Sequence, residues 1–317
     1  MDFIQSYKTD FDTVATAVRT ITDTENTFII EPESEGYDKA LSLANFSPYG
    51  LKTLGVTVGF PAPFIQKLAE TNPDLAETIM KDRMENYFFN NNYPAFYGRE
   101  FLGKIAGCVS SKYAYFDDNE VIDILSESPL KNLTFRDTNI TPERLHLRAI
   151  DNDSFHVEGD SSELFFMFFI DNSMVGQSSF RVRLGIYRKA CTNGLIVSKG
   201  EFVMCRQVHK GTKDICAEFN ASLAFLNEKK ENIKQMILDS AVEPAKIEEM
   251  AEEYRKDYLA KKLLLNRKET EKVLNLFTLT YGGKTRWAMV NAITEFARDI
   301  KDINRRTLLE SKALLVA

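Results

Sequence analysis

The chain has 317 residues, with 40 Lys and Arg against 46 Asp and Glu, a formal net charge of −6, and 44% hydrophobic residues. These values are typical of an ordinary soluble protein that can bury a sizeable core. No apolar run reaches the roughly 18 residues of a membrane helix, because the longest one, Leu164–Ile170, is bounded by Glu163 and Asp171. The first residues lack the basic and apolar regions of a signal peptide, so we expect a cytoplasmic protein without a membrane partner.

Charge is distributed unevenly along the chain. Residues 1–100 hold 8 Lys and Arg against 15 Asp and Glu, residues 101–175 hold 6 against 13, and residues 176–317 hold 26 against 18. Between Gly176 and Ile215 there are eight basic residues and two acidic ones. The last part of the chain is therefore the place where an anion-binding surface is expected.

The N-terminal part reads as an acidic extension followed by helices. Residues 1–38 are predicted to contribute only to peripheral core, and the main domain begins near Lys39. Apolar residues recur at helical spacing over 61–89, and Asn72-Pro73 interrupts them in the way that starts a new helix. This pattern predicts a helical pair.

From Phe101 the apolar period changes to two, which is typical of strands. We predict strands over 101–109 and 112–116 joined by Ser110-Ser111, a capped helix over 118–125, and further strands over 132–135, 144–149, 164–170, 179–187 and 201–208. The spacing is that of an antiparallel meander, with the phenylalanine-rich strand 164–170 at its centre. The predicted fold class is α+β, with a mainly antiparallel central sheet, N-terminal helices and a long helical C-terminal half.

The C-terminal half returns to the helical period. We predict one long helix ending near Ile237, a second starting near Pro244, and a last one over 285–300, so that a core domain 39–240 carries a helical region 241–317 packed on it. The densely charged segment 244–272 predicts a projecting helix that makes the chain a homo-oligomer. Gly283-Lys284-Thr285 is not a P-loop, because Thr278 stands where that motif requires glycine.

The segment 179–197 is an alternating strand that continues into a polar turn. Arg181, Arg183 and Tyr187 fall on one face, and the residues between them are apolar. Asn193-Gly194 is predicted to take the positive φ angles of a tight turn, with the Asn193 side chain either closing that turn or receiving a phosphate oxygen. The turn-closing role is the favoured one.

Four segments carry a resemblance to a known family. They are Leu54–Pro61, Val109–Tyr113 followed by Asn119–Val121, the Cys-Thr-Asn-Gly run 191–194 after a basic residue, and Trp287–Glu295. In these the chain resembles the phage/plasmid-like proteins grouped as domain of unknown function 932, over roughly residues 40–300. The resemblance implies a gene carried by phages, prophages or plasmids, and it supplies no catalytic residue.

Nothing in the sequence demands an enzyme, a metal or another cofactor. The four cysteines and three histidines lack metal-type spacing, so the cysteines are predicted to be structural. A nuclease site built from Asp151, Asp153 and Asp171 stays open, because such sites converge only in three dimensions. Trp287 is predicted to anchor the last helix by packing, with base stacking as the alternative.

We therefore hypothesise a non-enzymatic protein that binds or anneals single-stranded DNA in recombination or replication. The expected nucleic-acid-binding residues are Arg181, Arg183, Tyr187, Arg188, Lys189, Asn193, Lys199, Arg206 and Lys210. The alternative is an anti-defence or host-takeover protein that binds a host protein through its charged helices.

Overall fold

The computed structural model describes residues 3–5, 9–90, 93–114, 116–189, 193–196, 203–207 and 215–317. By its internal contacts the chain divides into two units. Unit 1 consists of Met1–Leu147, Ile170–Phe180 and Gln207–Asp214, and unit 2 of Arg148–Phe169, Arg181–Arg206 and Ile215–Ala317. Each unit is held together by its own core, described separately below.

Helices precede and follow the strands in the chain, and the predicted α+β class is confirmed. The helices are α1 (Phe11–Thr22), α2 (Glu35–Ala40), α3 (Pro48–Val58), α4 (Ala62–Thr71), α5 (Pro73–Glu85), α6 (Asp118–Ser126), α7 (Ile215–Ala224), α8 (Leu226–Val242), α9 (Glu252–Leu263), α10 (Arg267–Asn275), α11 (Arg286–Arg298) and α12 (Ile303–Val316). Short 3₁₀ turns cover Leu43–Asn45, Pro129–Asn132 and Lys246–Glu249, and π-helical turns cover Asn86–Asn90 and Leu276–Thr280.

The strands form two antiparallel groups. They are β1 (Phe3–Gln5), β2 (Asn26–Ile30), β3 (Phe96–Phe101), β4 (Lys104–Ser110), β5 (Thr134–Phe135), β6 (Thr138–Thr141), β7 (Arg144–Phe155), β8 (Leu164–Asn172), β9 (Phe180–Arg188), β10 (Asn193–Ile196) and β11 (Val203–Gln207). One sheet has the order β2-β3-β4, and the other has the order β1-β6-β7-β8-β9-β10, with β5 on β7 and β11 on β9. Strand β8 lies between β7 and β9, which confirms its predicted central position.

Local capping rules explain where several helices begin. The Asn72 side chain accepts from Leu75 N, and Pro73 occupies the first turn of α5, as expected. Asp117 and Glu120 form a reciprocal capping box at the start of α6. The Thr285 hydroxyl accepts a hydrogen bond from Ala288 N at 3.2 Å. The segment Gly283-Lys284-Thr285 is therefore the start of a helix and not a P-loop.

The first predicted hairpin is wrong in its position. Strand β3 ends at Phe101, and the chain turns at Leu102-Gly103, where φ is +52° and +75°. Glycine accepts this left-handed backbone without a steric penalty, so the turn forms there rather than at Ser110-Ser111. The predicted strand over 112–116 is absent from its described residues, because Tyr113 N donates to Ser110 O in a turn.

Two further element boundaries differ from the prediction. The long helix before Ile237 is divided into α7 and α8 at Phe225, whose backbone is non-helical (φ −101°, ψ 13°) and whose side chain is exposed. Strand β7 continues beyond its predicted end at residue 149 as far as Phe155. Lys230 of α8 pairs with Asp151 at 2.5 Å and with Asp153 at 2.7 Å, so one ammonium partly compensates two acids on an extended backbone.

In unit 1, helices α2 to α5 cover the sheet β2-β3-β4 around a core that includes Leu54, Ile65 and Met80. Helix α3 approaches β4 so closely that a Cβ atom on Gly50 would lie 1.9 Å from Ile105 O. Residues 1–38 were expected to contribute only peripheral core, but they include the fully buried Val14. The first forty residues thus supply helix α1 and an edge strand of this sheet.

In unit 2, α11 is buried along most of its length and packs with α8, α10, α12 and β10. The charged segment 244–272 does not project from the unit as predicted. Helix α9 buries Leu259 and Leu263, and the Tyr258 hydroxyl donates to Val316 O at 3.4 Å. Amphipathic packing against the unit's own C-terminal helix therefore accounts for this segment.

Among the described helices, none combines the length and apolar character needed to cross a membrane.

Candidate functional site

Strand β9 was expected to present a basic, aromatic face to a ligand, and the structure contradicts this at two of its residues. Arg183 is 7% exposed and Tyr187 is 3% exposed. The Tyr187 ring packs with Ile150, Met167 and Phe169 in the core of unit 2. Alternation predicts that a strand has two faces, but it does not tell whether the second face is covered. Tyr187 is consequently not available as a stacking platform.

The turn expected at Asn193-Gly194 is also wrong. Asn193 pairs with Arg188, and Gly194 pairs with Tyr187, in the antiparallel ladder between β9 and β10. Both residues are thus strand residues of β10 rather than turn residues. Residues 190–192, which include Cys191 and Thr192 of the Cys-Thr-Asn-Gly run, lie outside the described residues.

The remaining predicted contacts fall into three groups. Lys189 and Arg206 are exposed, and Lys189 makes a surface ion pair with Glu163 at 2.6 Å. Arg181 and Arg188 are half-buried. Lys199 and Lys210 lie outside the described residues. Of the nine predicted residues, Lys189 and Arg206 are therefore the exposed cations in the described part of the chain.

Arg188 is held in place by a carboxylate that sequence reasoning missed. Its Nε donates to Asp160 Oδ2 at 2.8 Å and its Nη2 donates to Oδ1 at 2.6 Å, a bidentate pair. Trp287 Nε1 donates to Asp160 Oδ2 at 2.9 Å, and Ser162 N donates to Oδ1 at 2.9 Å. Asp160 therefore accepts four hydrogen bonds and fixes the side chains of Arg188 and Trp287 at once.

The electrostatics of Asp160 agree with this arrangement. Burial acts to raise the pKa of its carboxyl, but the hydrogen bonds from Arg188, Ser162 and Trp287 outweigh burial and hold the pKa below its ordinary value. The aspartate is accordingly ionised at neutral pH and compensates the charge of Arg188. The Arg188 guanidinium also lies 5.7 Å from the centroid of the Tyr281 ring, a cation–π distance.

This cluster lines a cavity of about 420 Å³ that lies within unit 2. Its walls come from the turn 158–161, the end of β9, the end of α8, the π-helical turn before α11, and the first two turns of α11. The lining residues are Glu158, Gly159, Asp160, Ser161, Arg188, Ala241, Thr280, Tyr281, Thr285, Trp287, Ala288 and Asn291. A volume in the range of roughly 300–1,000 Å³ is typical of small-ligand sites.

Trp287 occupies the position that sequence analysis favoured. It is 6% exposed, its ring is packed within unit 2, and its indole N–H is satisfied by Asp160. The packing role is confirmed. Trp287 nevertheless lines the cavity, so a packing anchor and a ligand contact are compatible at this residue.

Asn291 is the second cavity residue that sequence reasoning missed. It follows Trp287 by four residues, so both side chains lie on one face of α11. Asn291 is 3% exposed, and its carboxamide makes no hydrogen bond to any described part of the chain. The carboxamide atoms are accessible from the cavity, so they can bond to a group inside it. The available signal was a single amide among the apolar residues of Trp287–Ile293.

Unit 1 has a buried polar cluster of its own. Asp171 accepts from Arg144 Nη2 at 2.8 Å and contacts His146 Nδ1 at 2.6 Å. Asn172 Nδ2 donates to Asp118 Oδ1 at 2.7 Å, and burial raises the pKa of Asp118 to about 7. These contacts join β7, β8 and the start of α6 within unit 1.

The proposed nuclease acids have other partners. Asp151 and Asp153 both pair with Lys230, and Asp171 pairs with Arg144 and His146. Over the residues that the structure describes, no group of three or more His, Cys, Asp or Glu side chains is placed to hold a metal ion. The geometry gives no support to the nuclease alternative.

A second cavity, of about 360 Å³, lies in unit 1 between α3, β4 and the segment 175–176. Cys108 lines it, is buried, and donates its backbone N–H to Thr53 Oγ1 at 2.7 Å. Burial raises the pKa of the Cys108 thiol to about 12, so it stays protonated and unreactive, as predicted for a structural cysteine. The side chains of Cys191, Cys205 and Cys216 lie outside the description.

Comparison with known proteins identifies the family. No curated protein and no solved structure shows a significant match to the chain. A family model described as a domain of unknown function (DUF932) matches residues 106–313, a range that includes every residue lining the unit 2 cavity. Since the match covers more than half of the 317 residues, the chain belongs to the DUF932 family.

Proposed function

We propose that this protein binds single-stranded nucleic acid and acts in annealing, recombination or replication without catalysing a reaction itself. The observation that carries the proposal is the excess of eight basic residues over two acidic ones between Gly176 and Ile215. Because the chain as a whole is acidic, this local excess of positive charge favours the attraction of a polyanion to one region. The resemblance to phage/plasmid-like proteins supports a gene on a mobile element and action in the bacterial cytoplasm.

The burial of Tyr187 and Arg183 changes the proposed contacts. Exposed cations supply the phosphate contacts, and of the predicted residues Lys189 and Arg206 have this exposure. Lys189 exchanges its surface pair with Glu163 for a phosphate oxygen, at small cost because exposed ion pairs are weak. Affinity then arises from phosphate neutralisation and has little sequence preference.

The test is a fluorescence-polarisation titration of the full chain with labelled single- and double-stranded oligonucleotides at several salt concentrations. We expect tighter binding of single strands and an affinity that falls linearly with salt on logarithmic scales. The double variant Lys189→Ala, Arg206→Ala should flatten that slope by up to about 0.7 per lost contact. Lys268→Ala, which removes an exposed cation on α10, is the matched control. Absence of binding at low salt would remove the proposal.

A second candidate function is the binding of a host protein, with or without self-association. Tyr254 is 62% exposed and Leu264 is 66% exposed, on and directly after the charged helix α9. Exposed apolar side chains among charges are typical of docking surfaces. A protein complex formed there should withstand salt better than a nucleic-acid complex, and light scattering of the intact chain would detect self-association directly.

A further inference from the structure

One amide in the unit 2 cavity is available to a ligand. Asn291 is 3% exposed and lines the cavity, and its carboxamide makes no hydrogen bond to a described residue. The carboxamide atoms are not sealed from the cavity space, so they can bond to a group that enters it. A carboxamide offers one donor and one acceptor side by side, which is the edge pattern that asparagine uses to bind a nucleobase.

The charges around the cavity argue against a phosphate inside it. Arg188 is the lining residue that carries a positive charge, and Asp160 compensates it through a bidentate pair. Glu158 adds a negative charge to the lining. A phosphate group would meet a net negative wall, whereas a neutral, planar heterocycle would not be repelled.

The cavity wall also has the aromatic character that a heterocycle requires. Trp287 and Tyr281 line it, and the Arg188 guanidinium adds a planar cation held by Asp160. Aromatic rings and guanidinium planes are the groups on which bases stack in complexes with single strands. Because Asp160 bonds to both Arg188 and Trp287, these groups keep their positions before a ligand arrives.

We propose that this cavity receives one base of the bound nucleic acid, with the Asn291 carboxamide hydrogen-bonded to the edge of that base. The inference rests on the proposed binding of single-stranded nucleic acid and names the site at which a base is held. The sugar and phosphate stay outside, in contact with surface cations, while the base enters the cavity. Two residues that line the cavity, Ala241 and Thr280, have strongly exposed apolar neighbours in the sequence. Val242 follows Ala241, and Leu279 precedes Thr280.

The experiment uses the single tryptophan of the chain as its reporter, since Trp287 itself lines the cavity. The full chain is titrated with dAMP, dCMP, dGMP and dTMP, and with deoxyribose 5-phosphate, which lacks a base. We expect a saturable change in Trp287 fluorescence with at least one nucleotide and none with the base-free sugar phosphate. A response to the sugar phosphate equal to that of the nucleotides would overturn the proposal.

Two variants test the cavity by independent means. Asn291→Leu should weaken nucleotide binding by at least about 10-fold, the loss expected for a bidentate contact. Ala241→Leu fills the cavity from another wall, retains Asn291, and should weaken binding to a similar extent. The matched control is Asn275→Leu, which replaces an exposed asparagine in the same unit. Circular dichroism establishes that each variant is folded.

The failure of this inference can be distinguished from the failure of the proposed function. If the wild-type chain binds oligonucleotides but Trp287 does not respond, and Asn291→Leu binds them with unchanged affinity, the base site is wrong and nucleic-acid binding stands. If the chain binds neither oligonucleotides nor nucleotides, both proposals are wrong. If oligonucleotide binding, the Trp287 response and the Asn291→Leu loss occur together, both are supported.

Discussion

Each unit contains an aspartate with an almost inaccessible side chain that pairs with an arginine and with an aromatic ring nitrogen, and the surroundings of the two aspartates differ. Asp171 of unit 1 contacts Arg144 and His146, and the side chains of Asp171 and His146 are 0% exposed. Asp160 of unit 2 contacts Arg188 and Trp287, and this cluster lines a cavity. Similar pairings therefore form a solvent-inaccessible structural contact in unit 1 and part of the wall of a candidate binding site in unit 2.

This comparison shows that a buried ion pair is not by itself a sign of function. Arg148 and Glu310 of unit 2 form another fully buried pair, with Nη2–Oε2 at 2.7 Å, and Arg148 lies 5.3 Å from the Phe169 ring centroid. What distinguishes the Asp160 cluster is the cavity beside it and the Asn291 amide in that cavity, which makes no hydrogen bond to a described residue. The following predictions separate structural charges from charges at a binding site.

The largest expected effect is in unit 1. Asp171→Ala leaves the Arg144 and His146 side chains without their buried carboxylate, and we expect the free energy of unfolding to fall by about 3–5 kcal/mol. Denaturant titration followed by circular dichroism measures the change. As a control, Asp299→Ala breaks an exposed pair with Lys272 and should cost less than about 1 kcal/mol. Equal effects of the two variants would contradict a structural role for Asp171.

A second effect in unit 1 depends on pH. The folded-state pKa of Asp118 is raised by burial to about 7 from 3.8, so the folded chain holds a proton that the unfolded chain releases between these values. The contribution of Asp118 to stability is therefore complete below pH 4 and declines by up to about 1.4 kcal/mol per pH unit as pH rises to 7.

Asp118→Asn removes this titration and should make the variant more stable than the wild type at pH 8. At pH 4, where Asp118 is protonated, the two should have similar unfolding free energies, which serves as the control. The Asn172 Nδ2 donor can still bond to the carboxamide oxygen that the substitution introduces. A difference between variant and wild type that is the same at both pH values would contradict the raised pKa.

A smaller effect is expected at the cavity of unit 2. Trp287→Phe keeps a buried aromatic ring and loses the hydrogen bond to the Asp160 carboxylate, so we expect a loss of about 1.5–3 kcal/mol in unfolding free energy. Thermal and denaturant unfolding by circular dichroism measure it. Tyr254→Phe, at an exposed ring, should leave stability unchanged within error. A neutral Trp287→Phe variant would mean that the indole bond does not stabilise unit 2.

The smallest effect is expected at Asn291. Asn291→Leu replaces an amide that faces the cavity, and that no described residue bonds, by an apolar group of similar size. We therefore expect the free energy of unfolding in denaturant to change by less than about 1 kcal/mol. A clear loss of stability would instead give Asn291 a structural role and would weaken the comparison between the units.

Local patterns predicted much of the fold and little of the site. The Asn72-Pro73 break, the Asp117 cap and the Thr285 cap are decided by a few neighbouring residues, and all three are confirmed. The central position of β8 followed from apolar residues on both of its faces. These features depend on chain chemistry within one or two turns.

The site depends on contacts between residues far apart in sequence. Trp287 and Asp160 are separated by 127 residues, so no spacing rule links them. The burial of Tyr187 is decided by Ile150, Met167 and Phe169 on other strands, which a two-residue period cannot show. Sequence reasoning did not identify Asp160 and Asn291, because a single acid in a turn and a single amide in a helix are common.

The division of the chain into units limits how the protein can be dissected. The chain passes from one unit to the other after Leu147, Phe169, Phe180, Arg206 and Asp214, so neither unit is a continuous segment. A truncation at Leu147 would retain Arg144 and His146 and discard Asp171. Separately expressed halves would each lack strands of their own core, and limited proteolysis is not expected to release either unit intact. The function of one unit is therefore best assigned by point substitutions in the full chain.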